Sequence, residues 1–152
     1  MSEAQTWLVA FGEIDGLRWV LKHSRMAFSE GLAWRASRIR PGDQLVLYAT
    51  RGAFHNPTRD RSQLAGLARA TSPVRRLRRP VQIRGRDYVV ACDIQVTVSL
   101  PERQGVDFAP FVRKLEFIRR KNVWGQYLRA GLVPISRDDG RFLEREVRKA
   151  AR

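Results

Sequence analysis

The sequence predicts an α+β fold: a small, strongly curved β-sheet with helices at its periphery. Three observations carry this reading. Short apolar runs bounded by turn residues alternate with segments whose apolar residues recur at spacings of three and four. The longest β-branched stretch, Tyr88 to Leu100, exceeds a usual strand and has to bend or bulge, as a strand curling round a small barrel does. The chain has 152 residues, is 43% hydrophobic, and holds neither an internal repeat nor a low-complexity linker. One domain over residues 1–152, with its core between about 6 and 147, is the expectation.

Taken in order, Thr6 to Phe11 (TWLVAF) is an apolar run closed by Gly12 and predicts a first strand. Ile14, Leu17, Val20 and Leu21 put an apolar stripe on a helix over 14–22. Ser29 can cap a second helix running to about Arg38, with Leu32, Ala33 and Ala36 inward. Pro41-Gly42-Asp43 marks a turn, and Gln44 to Thr50 (QLVLYAT) follows as a buried strand. Residues 51–60 are polar and turn-rich, hence a loop. Ser62 to Thr71 fits helix and strand alike by pattern; the flanking turns and Gly66, which weakens a helix, favour a strand. Residues 73–86 hold six arginines among two prolines and a glycine, and alternation within a hairpin would line several of them along one edge. Val106 to Phe117 predicts a short helix, Arg119 to Asn122 a basic turn, and Val123 to Leu128 a last short strand. Ser136 with Asp139 resembles a capping box opening a helix over about 137–150, where Phe142, Leu143 and Val147 form a narrow apolar edge.

Charge gives the first functional clue. Lys+Arg is 29 against Asp+Glu 15, a net +14, and only Lys22, Lys114, Lys121 and Lys149 among the basic residues are lysine. Arginine's planar fork suits bidentate phosphate contacts. An excess this large in one small domain implies a polyanionic partner, nucleic acid before an anionic membrane. Met1 to Thr6 lacks the basic-then-apolar layout of a signal peptide and no apolar run is long enough to span a bilayer, so a cytoplasmic protein is expected. A single cysteine, Cys92, excludes a disulfide framework and a thiol-based zinc cage.

Catalytic constellations are absent from the sequence. His23 and His55 stand far apart, and there is no HExxH, no CxxC and no Walker lysine. The paired acids, Asp138-Asp139 and Glu144-Glu146, fit a helix start and a solvated helical face. No cofactor and no metal site is expected.

Three segments together resemble a known family: Trp7-Leu8-Val9; Ser37 to Tyr48 with its PGD turn; and Lys114 to Gly125 (KLEFIRRKNVWG) followed by Pro134-Ile135-Ser136-Arg137-Asp138-Asp139. They resemble the EVE domain of the PUA-like superfamily, a relative of the YTH readers of methylated adenine. The resemblance implies a β-barrel of five or six strands with flanking helices. It also implies recognition of a modified base, flipped out of its strand into an aromatic pocket between the first strand, the following helix and the entry to the second. Methylated or hydroxymethylated cytosine and methylated adenine are the implied ligands, in DNA or RNA. Carried over by position, the pocket takes in Phe11, Gly12, Met26, Ala27, Phe28, Tyr48 and Trp124, with Met26 where relatives have the cage tryptophan. For Phe11 and Phe28, ordinary core packing is as good an account as a cage role. Tyr48 and Trp124 stay open between core and pocket rim, and Trp19 and Trp34 between core and surface.

Arg75, Arg76, Arg78 and Arg79 form one basic cluster, and Arg119, Arg120 and Lys121 a second. If both flank one cleft they would hold phosphates on either side of the flipped base. Four to six such contacts predict a slope of log K against log salt of roughly −3.6 to −5.4 on duplex DNA. Two alternatives remain at the level of sequence. One is an enzyme like the ASCH group, acting on RNA or modified nucleosides, for which Lys22 and Glu13 are the nearest candidates. The other is an RNA-binding accessory domain acting by shape and charge. Oligomeric state is left open.

Overall fold

The computed structural model describes residues 4–152; the first three residues, part of the stretch read above for a leader, lie outside it. Eight strands and four α-helices follow in order: β1 (Thr6–Phe11), α1 (Ile14–His23), β2 (Arg25–Phe28), α2 (Glu30–Ala36), β3 (Gln44–Ala49), β4 (Gln63–Ala70), β5 (Arg75–Ile83), β6 (Arg86–Ser99), β7 (Val106–Asp107), α3 (Gly125–Leu128), β8 (Leu132–Ile135) and α4 (Arg137–Ala150). They build a curled half-barrel sheet in the order β2-β6-β4-β3-β1-β8, with β5 also pairing β6 and β7 pairing β4.

The curl is built into β6, which is 14 residues long. Its second half pairs β4 from Ile94 to Ser99, while its first half pairs β5 and, on the other edge, β2. Register shifts at Leu47/Tyr48, Leu67/Ala68 and Arg76/Val81 add the bends a closing sheet needs. β1 and β3 run parallel, Thr6 beside Gln44 through Phe11 beside Ala49, and α1, β2 and α2 form the crossover between them.

Alternation on β1 and β3 splits the interior into two cores. Trp7, Val9, Leu45 and Leu47 face one, with Leu17 and Val20 of α1 and Met26 and Phe28 of β2. Leu8, Val46 and Tyr48 face the other, with Phe108, Val112, Leu115, Leu143 and Val147 beneath α4 and the connection before it. The PGD turn is locked by Asp43, whose buried carboxylate accepts from the peptide N–H groups of Gln5 and Arg40 and the indole N–H of Trp7 at 2.9–3.0 Å. Gly42, at φ 94°, supplies the left-handed step.

Several expectations are corrected. Val123 to Leu128 is no strand: Lys121–Val123 is a 3-10 turn and Gly125–Leu128 is α3. The last strand is β8, which pairs β1 at the edge of the sheet, where Pro134 opposite Trp7 lacks no needed donor. Val106 to Phe117 yields the two-residue β7 and a 3-10 helix over Ala109–Lys114 in place of an α-helix. The stretch Arg25–Phe28 is a strand because Ser24, at φ 51°, ends α1 and turns the chain onto β6. Ser29 stands at the N-cap of α2 without a side-chain hydrogen bond. Ser136 does accept from the Asp139 N–H, but the Asp139 carboxylate reaches the N–H groups of Glu116 and Phe117 and so ties the preceding connection to α4.

Candidate functional site

Beyond the carboxyl ends of the parallel pair β1 and β3, on the face of the second core, lies a cavity of about 790 Å³. That is within the usual range for small-ligand sites, roughly 300–1,000 Å³, and ligands commonly bind beyond strand carboxyl ends. β3 contributes Tyr48 and leads into Thr50 and Arg51. Arg61 and Ser62 enter just before β4, Asp107 comes from β7, and Ala109 and Pro110 open the 3-10 helix. Trp124, Gly125, Leu128 and Arg129 close the far wall.

The walls are held by aromatic packing. The Tyr48 ring meets Phe108 edge-on at 5.0 Å between centroids, and Phe108 meets Trp124 at 5.7 Å. Burial raises the Tyr48 phenol's pKa, which the neighbouring Ser62 side chain opposes. The wall carrying Trp124 is pinned in three places: Asp139 on the Glu116 and Phe117 peptides, the Tyr127 hydroxyl accepting from the Arg120 N–H at 2.9 Å, and the Lys121 ammonium donating to the Leu115 carbonyl at 2.6 Å. Arg51, Arg61 and Arg129 are exposed at the rim, and Arg61 lies 3.4 Å from Asp107.

The pocket carried over from the resemblance divides in two. Tyr48 and Trp124 meet at the cavity. Met26 and Phe28 are buried in the first core, on the opposite face of the sheet, and neither lines the cavity. Ala27 lies half-buried on β2, Phe11 packs partly buried against the first core, and Gly12 is exposed. The register explains the split: Tyr48 stands beside Ala10 and Phe11 beside Ala49, so Phe11 and Tyr48 point to opposite faces.

Neither basic cluster is among the residues that line the cavity. Arg119 and Arg120 are exposed on the connection leading to Trp124, and Lys121 is committed to its carbonyl. Arg75, Arg76, Arg78 and Arg79 lie on β5, and none of them lines the cavity. Arg76 is clamped by Glu30 of α2 in a two-pronged pair at 2.9 and 3.1 Å. The nearest enzymatic candidates are also apart, since Glu13 caps the start of α1 and Lys22 sits in its last turn, roughly 13 Å along the axis. Glu13 instead binds His55 at 2.7 Å, and that hydrogen bond lowers its pKa. Neither residue lines the cavity.

Sequence reasoning missed Arg51, Arg61, Ser62, Asp107 and Arg129. The signal that finds the first three is the polar stretch between two buried strands, β3 ending at Ala49 and β4 beginning at Gln63. Among the described residues no helix is long and apolar enough to cross a membrane, and no group of His, Cys, Asp or Glu is arranged to hold a metal ion.

No family model matches the chain, and no curated protein is similar to it in sequence. Its fold is similar to that of several solved structures. A hypothetical protein from Leishmania major superposes with a TM-score of 0.63 at 13% identity, over 99% of this chain and 98% of that one. The Mmi1 YTH domain in complex with RNA gives 0.66 at 11%, over 97% and 80%. The protein Rpa0253 from Rhodopseudomonas palustris gives 0.58 at 18%, over 97% and 93%. At these identities the likeness is one of architecture, and the chain has a YTH-like α+β fold.

Proposed function

We propose that the chain is a nucleic-acid-binding module that reads a modified base, taken out of its strand into the cavity between Tyr48 and Trp124. The observation that carries this reading is the aromatic-walled cavity of about 790 Å³ with arginines at its rim, in a chain of net charge +14. A base entering it stacks against Trp124 above the Tyr48–Phe108 pair. Such stacking contributes about 1–3 kcal/mol, against a few kcal/mol to unstack the base from its strand. One methyl group more or less in an apolar pocket is worth about 1–3 kcal/mol, enough to separate a methylated or hydroxymethylated cytosine, or a methylated adenine, from the plain base. Arg51, Arg61 and Arg129 at the rim supply phosphate contacts to DNA or RNA. The resemblance to EVE domains and the RNA bound by the Mmi1 YTH domain point the same way. The role asked of the site is recognition, so the chain acts as a binding module and not as an enzyme.

The test is fluorescence anisotropy with one matched set of oligonucleotides, carrying methylated cytosine, hydroxymethylated cytosine, methylated adenine or no modification. One modified member binds about tenfold tighter than its plain counterpart, and Trp124→Ala removes that preference while salt-sensitive binding remains. Equal affinity across the set, with Trp124→Ala harmless, defeats the reading.

A further inference from the structure

Trp34 has no role in the cavity or in either core. It is the one large hydrophobic side chain exposed among the described residues, at 82%. The inward positions of α2 are taken by Leu32, Ala33 and Ala36, which leaves Trp34 on the outer face. No ring or cation–π partner is found for it among the described residues. An indole this open forfeits the burial that usually justifies its size.

Cationic residues follow it in the chain and stand on the strand that Glu30 engages. One turn before it on the same side of α2, Glu30 holds the Arg76 guanidinium, so α2 is fastened to β5. Four residues after it comes Arg38, also exposed. Arg75, Arg78 and Arg79 on β5 are exposed, and no described carboxylate pairs with them or with Arg38. That pair ties α2 to β5 at Arg76 alone and leaves the other exposed guanidinium groups available to phosphate.

We infer that Trp34 is a second nucleic-acid contact: a stacking platform for one unpaired base of a single strand, whose neighbouring phosphates are held by Arg38 and the β5 arginines. The inference rests on the nucleic-acid reading above and concerns a separate surface, since none of these residues lines the cavity. A flat indole on a convex helix offers a π-face and no hydrogen-bonding frame. It therefore accepts any base and excludes a paired one, whose faces are already stacked. The molecule then grips a single strand at two places, only one of which distinguishes bases.

The experiment compares wild type, Trp34→Ala, Trp34→Phe and Trp124→Ala on modified and unmodified single strands and on the matching duplex. Sedimentation of the free proteins is run alongside. Trp34→Ala is expected to weaken every single strand by about tenfold, leave the modified-to-unmodified ratio and duplex binding unchanged, and be largely rescued by Trp34→Phe. Unchanged single-strand affinity in Trp34→Ala, with the Trp124→Ala effect intact, overturns the platform and spares the cavity. A Trp34→Ala effect without any Trp124→Ala effect overturns the cavity and spares the platform. A self-associating wild type made monomeric by Trp34→Ala, with no change in strand binding, also overturns the platform, because a second copy of the chain is then its occupant.

Discussion

Cys92 sits on β6 opposite Met26 of β2 and is 2% exposed. Burial, reinforced by the charge of Asp93 and opposed by Arg25, pushes its thiol pKa from 9.0 up to about 12. The thiol therefore stays protonated in the folded chain over a range where the unfolded chain releases its proton. Unfolding is thus favoured as pH rises from about 9 toward 12, by up to about 1.4 kcal/mol per pH unit, and the contribution is fully retained below about 9. Tyr48, raised from 10.0 by burial, acts in the same direction. Urea midpoints measured at about pH 8 and about pH 10.5 check this. The stability gap between wild type and Cys92→Ala is expected to narrow at the higher pH, whereas a constant gap would mean the thiol titrates freely in the fold. The same pair of strands sets what was legible at this scale. Aromatic and sulfur side chains at 26–28 are readable as apolar, but the face they turn to is fixed by pairing with β6, a partner more than sixty positions away in the chain. Tyr48 and Trp124 are readable as aromatic and stay open between core and rim, and only the β1–β3 register turns Tyr48 to the cavity side and Phe11 to the opposite core.

β4 carries two of the irregularities that bend the sheet. Toward β3 its register shifts between Leu47 and Tyr48, and toward β6 it shifts between Leu67 and Ala68. Gly66 lies between these irregularities, and a Cβ there would stand 2.3 Å from the Val98 carbonyl oxygen. The obstacle is backbone of the neighbouring strand, so no rotamer change relieves it. Gly66→Ala is expected to destabilise the protein by about 1–3 kcal/mol, net of the roughly 0.4–1 kcal/mol that alanine gains from reduced unfolded-state freedom. A lowered thermal midpoint with an unchanged far-ultraviolet spectrum checks it; a raised midpoint would mean β6 yields freely. The strand itself was readable, because a mid-segment glycine argues against a helix. The region after β6 was not. VWGQYL has strand-like residues but folds into tight helical turns, since the Lys121 and Tyr127 side chains satisfy the Leu115 carbonyl and the Arg120 N–H at short range. β8 escaped because its Pro134 reads as a strand breaker, and an edge position tolerates it.

Across the whole molecule, part of the net charge of +14 falls on two groups of arginines that the linear sequence cannot separate. Arg51, Arg61 and Arg129 ring the cavity, while Arg38, Arg75, Arg78 and Arg79 surround the outer side of α2 and β5. Length and net charge predict that polyanions bind; only the fold shows that the arginines stand in separate groups. The two surfaces differ in what they should contribute. Four to six engaged phosphates on a single strand give a slope of log K against log salt of roughly −2.8 to −4.2. Replacing Arg75, Arg78 and Arg79 together by Ala is expected to flatten that slope by about 2 while the modified-to-unmodified ratio stays fixed. Replacing Arg51, Arg61 and Arg129 together by Ala flattens it similarly and also lowers the ratio, because a base left without its flanking phosphate anchors is held less firmly against Trp124. Titrations from low to moderate salt with both triple variants separate the surfaces. Identical behaviour of the two variants in slope and ratio would mean that the charge acts as one diffuse field, and that neither face is a defined contact.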